Sequence, residues 1–405
     1  MTQDFDILIV GAGPAGLTLA RALSGQGLHI GVLEQQPQSA VAHPAFDGRE
    51  IALTQRSAHA MQAWGLWQRI EELEPTAFSA LRDAQVLNGS HPFAMVIGHE
   101  LSSRSELGWL VSNHLIRQAA WDTVQHAIEA HHDIELFCEC RISRVRSNDT
   151  HAEVTCEDGR VLRSRLLIAA DSRFSQTRRA MGIAADMHDF GRTMLVCNMT
   201  HERAHEHVAW EWFDYGQTLA LLPMNDDPVT GMHRSSVVLT LPSRDMDGVL
   251  DMEDNVFNSD MTRRFAGRLG AMTLTSTRHA YPLVGVYPRH LVAQRFACIG
   301  DAAVGMHPVT AHGFNFGLLG IETLSQALIQ AHAQGRDIGH PALLARYERT
   351  HMLSTRPLYL ATQAIVKLYT FEHPVARLVR DGMLRLGQRI TPFRRAIAAQ
   401  LTGLH

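Results

Sequence analysis

The sequence predicts an α/β fold: a Rossmann-type dinucleotide-binding domain, an inserted mixed β-sheet domain and a helical C-terminus. Three observations predict it. A complete β-α-β unit with a glycine turn stands at the start of the chain. A second short apolar strand, Phe296-Ala297-Cys298-Ile299, runs directly into Gly300-Asp301. Two strand-rich stretches, about 73–109 and 186–284, interrupt the framework between them.

In chain order, Asp6–Val10 (DILIV) is a continuous apolar run, the pattern of a strand covered on both faces. Leu17–Leu23 has helical spacing, and Gly25 and Gly27 stop it. Ile30–Leu33 is the second strand and ends in Glu34. Residues 48–72 read as helical, as do Val111–Ala130. Ile134–Val145, Ala152–Cys156 and Arg160–Leu166 read as an antiparallel meander, turning at Glu157-Asp158-Gly159. Leu166–Ala170 is again a buried strand, and 193–241 is mostly strand. Gly317–Ala333 is helical, with a helix start near Gly313, and the chain after Pro341 is almost wholly helical. The expected organisation is a nucleotide-binding domain of 1–72, 110–185 and 285–340, an inserted domain of 73–109 and 186–284, and a helical region of 341–405.

Composition excludes several classes. The 405 residues allow two or three domains, and 45% hydrophobic with 19% charged residues exclude global disorder. A net charge of −4 argues against nucleic acid as the main partner. No apolar run approaches the length of a membrane span. The opening MTQDFDILIVG lacks a basic stretch and predicts no leader, and five scattered cysteines predict a reduced, cytoplasmic chain. Lys367 is the single lysine, so individual arginines are weak evidence of function. No zinc-type ligand set, Ser/His/Asp order or P-loop stands out, and His205 and His207 read as surface residues of a polar strand.

The glycine turn carries most weight. Gly11-Ala12-Gly13-Pro14-Ala15-Gly16 matches G-x-G-x-x-G. Gly11 permits the turn, Gly13 lets a pyrophosphate approach, and Gly16 lets helix pack on strand. The helix N-terminus offers free N–H groups to phosphates, and Glu34, about 20 residues on, suits ribose hydroxyls. Only one such fingerprint is present. Near residue 300, Asp301 at a strand end can bind a ribitol hydroxyl. A helix starting near Gly313 aims its N–H groups at a neighbouring anion.

These residues resemble the FAD-dependent aromatic hydroxylases with a single Rossmann domain, most nearly the ubiquinone-biosynthesis branch. The resemblance covers almost the whole chain. It rests on Gly300, Asp301 and Pro308; on Asp171-Ser172-Arg173-Phe174-Ser175-Gln176-Thr177-Arg178; and on Asp47-Gly48-Arg49-Glu50-Ile51-Ala52-Leu53. Trp109–Asn113, Tyr215–Pro223 and Tyr281-Pro282-Leu283 add to it. Four departures stand out: Ser172 for glycine, Val304 for histidine, Ala311-His312-Gly313 for Gly-Gln-Gly, and Gly320 for aspartate.

The resemblance implies FAD as cofactor, with NAD(P)H as a transient reductant. Flavin, O2 and reductant together hydroxylate the aromatic ring of a phenol or quinol, with a polyprenylated ubiquinone precursor as the expected substrate. The alternatives are the same chemistry on a soluble aromatic metabolite, reduction of a prenyl double bond, or a catalytically silent subunit of a biosynthetic complex. The implied cofactor residues are Gly11, Gly13, Ala15, Gly16, Glu34, Arg49, Asn113, Arg117, Asp171, Gly300, Asp301, Gly313, Phe314 and Asn315. Asp171 reads equally as a helix N-cap. His312 and Pro308 are the catalytic candidates: His312 suits a phenolic proton or the flavin hydroperoxide, or only the helix it precedes.

Trp210, Trp212, Phe213 and Tyr215 alternate in a strand, so one face is a candidate lining for an apolar substrate and a sheet core is the alternative. Residues 375–405 form a basic amphipathic stretch with six arginines against Asp381. It suits an anionic membrane surface, or packing on the enzyme body or a partner subunit.

Overall fold

The computed structural model describes residues 2–89, 94–101, 104–214, 216–307 and 312–370. The strand Thr2–Val10 sits inside a parallel sheet between Ile30–Leu33 and Val161–Ala169. Ile134–Phe137 extends the sheet on one side and Phe296–Cys298 on the other, both parallel. Ile7, Leu8 and Ile9 are fully buried, as the continuous apolar run requires. The helices Pro14–Leu23, Asn113–Glu129 and Gly313–Ala333 pack on this core and on one another.

Three sequence expectations fail here for long-range reasons. Residues 48–72 are not wholly helical: Glu50–Thr54 is a strand, paired antiparallel with Gly108–Ser112. The Asn315 amide binds its far edge, accepting from Thr54 N–H at 3.0 Å and donating to the Ala52 carbonyl at 2.8 Å. Strand partners distant in sequence override the local helical spacing. Helix begins only after Thr54, whose hydroxyl caps Ser57 N–H. Likewise Gly108–Ser112 is strand, and the helix starts at Asn113 rather than Val111. The stretch from Ile134 to Val145 is two strands rather than one. Glu139 has φ +54°, and Glu139 and Cys140 N–H bind the Gln36 and Glu34 carbonyls, so the chain turns there. Ile134–Phe137 joins the parallel sheet, and only Ile142–Ser147 enters the antiparallel ladder with Ala152–Cys156.

The second sheet runs in the order Met272–Leu274, Ala185–His201, His233–Pro242, Gln217–Met224, Val208–Asp214, Asp83–Asn88, Ala94–Ile97; His279–Pro288 also pairs with Ala185–His201. Alternation gives it two different faces. Leu195, Cys197, Trp212, Leu219, Val237 and Leu239 turn toward the helices Ser243–Leu250 and Asp254–Arg264 and form a separate apolar core with them. Trp210 lies against that core and Trp212 is buried in it, its indole N–H donating to the Gly89 carbonyl at 2.8 Å. The tryptophan pair is therefore sheet core, and Phe213 lies on the opposite face. Tyr215 lies outside the described residues.

His205 corrects another expectation. It is buried rather than on the surface, and it lies in a loop ahead of the strand Val208–Asp214. Its Nε2 bonds the Met224 carbonyl, and its Nδ1 accepts from His207 N–H. Burial pushes the His205 imidazole below its usual range.

Candidate functional site

Val10, Ala169 and Cys298 end three adjacent parallel strands at the same edge of the sheet. Three loops leave these strand ends and meet there: the turn Gly11–Gly16, the segment Ala170-Asp171 and the segment Gly300-Asp301. Ligand sites in open α/β sheets lie outside such carboxyl ends.

The turn is built by close backbone approach. Gly11 has φ +105°, and a Cβ on it would lie 2.6 Å from the Ala170 carbonyl oxygen. A Cβ on Gly16 would lie 1.9 Å from the Gly11 oxygen. Gly13 differs: nothing lies within 4 Å of where its Cβ would be, so the first helix turn keeps an open approach. Ala15 touches the late motif, 2.7 Å from a Cβ built on Gly300, whose φ is +58°. Glu34 is held by two backbone donors, Ala12 N–H at 2.8 Å and Gln36 N–H at 2.9 Å, which fix its carboxylate beside the turn.

Asp171 accepts from the Thr177 N–H and hydroxyl through Oδ2, while its Oδ1 is buried without a partner. The cap of the helix Gln176–Ala180 is Ser175. Ser172 has φ +89°, a conformation glycine adopts without strain, at the position where the resembling family carries glycine. Arg178 is buried and donates to the carbonyls of Arg173 and Ala302, tying this loop to the late motif.

Asp301 is ion-paired with Arg173 at 3.0 Å, and Arg173 also donates to the Val284 carbonyl. Sequence reasoning gave Arg173 no role, because a chain whose basic residues are almost all arginine gives one arginine no contrast. The helix Gly313–Ala333 begins directly after His312. His312 is buried, stands 5.7 Å from the Phe316 ring, and makes no side-chain cap to that helix. Nothing lies within 4 Å of a Cβ on Gly313, and Phe314 packs against the main core. Asn315 pins the helix start to the strand Glu50–Thr54. Pro308 lies outside the described residues.

A third group gathers on Asp47, a residue to which sequence reasoning likewise gave no role. Arg49 bonds its carboxylate through Nη2 at 2.6 Å, and Asn113 Nδ2 donates to the same oxygen at 2.7 Å. Burial works against ionisation of Asp47, but the hydrogen bond and charge of Arg49, with Asn113, outweigh it and hold the carboxyl below its usual range. Arg117 stands one helical turn beyond Asn113. Tyr281 O–H donates to the Asp47 carbonyl at 2.8 Å, and the Arg49 guanidinium lies 5.3 Å from the Tyr281 ring centre. The loop of residues 47–49 is thus seated on the face of the second sheet that the two helices leave open. Glu50 comes next in the chain, with its carboxyl pushed up to about 8 by burial against a partial offset from Ser112 and Arg234.

Away from this region, Asp83, His99 and Glu100 bring three ligand-type atoms within 4.8 Å of one another. Chain folding rather than motif spacing assembles them, so the sequence gives no sign of the group.

The family model described as FAD binding domain matches residues 4–355. The chain is 42% identical over 407 residues to a ubiquinone hydroxylase, UbiM, of Neisseria meningitidis, covering all of this chain and 86% of that protein. It is 31% identical over 399 residues to a ubiquinone hydroxylase, UbiL, of Rhodospirillum rubrum, covering 98% of this chain and 89% of that one. Among solved structures, p-nitrophenol 4-monooxygenase PnpA from Pseudomonas putida superposes over both whole chains with a TM-score of 0.75 at 17% identity, a likeness of fold.

Proposed function

We propose, from the premise that this chain belongs to the FAD-dependent aromatic-ring monooxygenases and within them to the ubiquinone-biosynthesis hydroxylases, that it places one oxygen atom of O2 on the ring of a polyprenylated phenol or quinol on the way to ubiquinone. The single observation that carries the reading is the meeting of the Gly11–Gly16 turn with Asp171 and Asp301 at one sheet edge.

The residues fit FAD. The open side of Gly13 and the free N–H groups of the helix Pro14–Leu23 suit its pyrophosphate, and the anchored Glu34 carboxylate suits the adenosine ribose. Asp301 and the buried unpartnered Oδ1 of Asp171 supply acceptors on the ribityl side. Arg49 and Asn113, held on the Asp47 carboxylate, and Arg117 one turn beyond are the remaining cofactor candidates, and the N-terminus of the helix Gly313–Ala333 adds an anion-stabilising field. When bound, FAD draws electrons from NAD(P)H and activates O2. The chain's own work is to orient the ring, exclude water, and hold a proton where oxygen is transferred, for which the His312 imidazole is our candidate.

We assign residues 1–72, 110–185 and 285–340 to FAD and 73–109 with 186–284 to the substrate. Among the described residues no helix is long and apolar enough to cross a membrane. Residues 375–405, outside the described residues, carry a basic amphipathic pattern that supports peripheral attachment at the cytoplasmic face, where a prenylated substrate resides, or docking on a partner subunit.

The test is the quinone profile of cells lacking this chain. Mass spectrometry is expected to show a polyprenylated ring short of a ring oxygen, removed when the gene is restored. An unchanged profile defeats the reading.

A further inference from the structure

The face of the second sheet turned away from the two helices carries an acid that no described residue satisfies. Pairing places Glu211 in a row with Met95 and Val86 on one side and Ala220, Val238 and Val196 on the other. The row ends at His279, against which the loop of residues 47–49 rests: a Cβ on Gly48 would lie within 3.0 Å of both His279 and Val196. Its neighbours in the row are thus apolar from Met95 to Val196. Among the described residues the Glu211 carboxyl has no hydrogen-bond or ion-pair partner.

Burial alone pushes the carboxyl up to about 8, while the side chain keeps part of its accessible surface. On this face Glu211 stands beside a small apolar cluster in which Met95 and Val86 pack with Leu81, Leu107 and Ala209. An apolar residue here would cost less, so the acid has no structural return. The same face holds three more unsatisfied polar atoms: Asn88 Oδ1, Asn198 Oδ1 and Ser236 Oγ, all on buried residues. Asn88 is cross-strand partner to Phe213, two residues from Glu211, and Ser236 pairs with Asn198. An unpaired acid set in a mostly apolar row suits a molecule that is itself mostly apolar and carries an oxygen donor.

We propose that Glu211 is the residue that recognises the ring hydroxyl of the substrate: its carboxyl oxygen accepts the hydrogen bond of the phenol or quinol O–H and so fixes which edge of the ring is offered for hydroxylation. This rests on the ring-hydroxylation reading above. The apolar row beside it, Ala220, Val238 and Val196, takes the hydrocarbon part of the same molecule. No proton transfer is required; the protonated carboxyl accepts through its carbonyl oxygen and can donate through its O–H to a second ring oxygen.

The experiment uses the FAD-loaded protein, without reductant. Two probes are compared: a phenol bearing one isoprene unit, and its methyl ether, which lacks only the donor. Affinity is read from the perturbation of the flavin absorbance. Wild type is expected to bind the phenol about tenfold more tightly than the ether, the scale of one hydrogen bond in a desolvated site. Glu211→Leu is expected to bind both at the level of the ether, and Glu211→Gln, which keeps a carbonyl acceptor, to retain most of the preference. Thermal melting separates this from a folding defect, because Glu211→Leu removes a buried acid and is expected to melt at or above wild type at pH 8. Should the leucine variant fail to fold, Glu211→Ala, which only deletes atoms, carries the same comparison. A full phenol preference retained in the Leu or Ala variant overturns the role of Glu211 and leaves the hydroxylase reading intact. Wild type that binds neither probe defeats the substrate reading, and the role of Glu211 falls with it.

Discussion

Gly16→Ala is expected to leave a chain that neither folds stably nor takes up FAD, whereas Gly13→Ala folds normally and loses FAD alone. The difference lies in what each added methyl would meet. At Gly16 the methyl would sit 1.9 Å from the Gly11 oxygen, which belongs to backbone and cannot swing aside. The helix Pro14–Leu23 would have to move off the strand Thr2–Val10, and Leu17, Leu19 and Leu23 would leave a core in which they are almost completely buried. Uncovering even two such side chains costs about 3–6 kcal/mol, a large part of the stability of an ordinary domain.

At Gly13 the backbone has φ −71°, which alanine adopts freely, and no protein atom is near. The stability of the FAD-free chain should therefore change by less than about 1 kcal/mol. The methyl would occupy the approach to the helix N-terminus, where backbone N–H groups would face a bound pyrophosphate. Loss of two charge-assisted hydrogen bonds corresponds to FAD binding weakened on the order of a hundredfold or more. Urea unfolding of the FAD-free variants, beside fluorescence titration with FAD, checks both halves. Equal losses of folding and of FAD binding in the two variants would contradict the geometry of the turn.

Trp212→Ala is expected to cost about 3–5 kcal/mol of stability, the range for deleting a buried aromatic side chain. Trp212 is 4% exposed, its N–H is bonded to the Gly89 carbonyl, and the Arg268 guanidinium lies 4.5 Å from its ring centre. Its removal leaves a cavity between the sheet and the helices Ser243–Leu250 and Asp254–Arg264, and a buried carbonyl without its donor. Trp212→Phe should cost less, about 1–2 kcal/mol, because most of the volume stays. The nucleotide turn belongs to the other sheet, so FAD content at low temperature should stay near one per chain. Chemical unfolding with FAD release followed in parallel makes the measurement. A destabilisation below about 1 kcal/mol would show that Trp212 does not hold this core.

These two sites also show where the sequence was readable. The glycine turn, Glu34 and the parallel strands were legible because each is a local pattern: a strand buried on both faces is a run, and a tight turn onto a helix needs glycines at fixed offsets. The period-2 pattern likewise put Trp210 and Trp212 on one face and Phe213 on the other, but it could not say which face the helices cover. That depends on Ser243–Leu250 and Asp254–Arg264 folding back, which no local signal states.

The strand Glu50–Thr54 was hidden for a similar reason, since its partners lie near residue 110 and at Asn315. Arg173 and Asp47 act through partners far along the chain, and the abundance of arginine removed the contrast that would have marked Arg173. Glu211 left one sign: an acid at the alternate position of an otherwise aromatic run, on the face opposite the tryptophans.

Insertion of oxygen from O2 into an aromatic ring is read out by a single turnover of the FAD-loaded protein with NAD(P)H, a short-chain prenylated phenol and 18O2, with the product analysed by mass spectrometry. The expected result is a ring hydroxylated once and carrying one 18O atom. Product oxygen drawn from water, or a substrate oxidised without gaining an oxygen atom, would contradict the account.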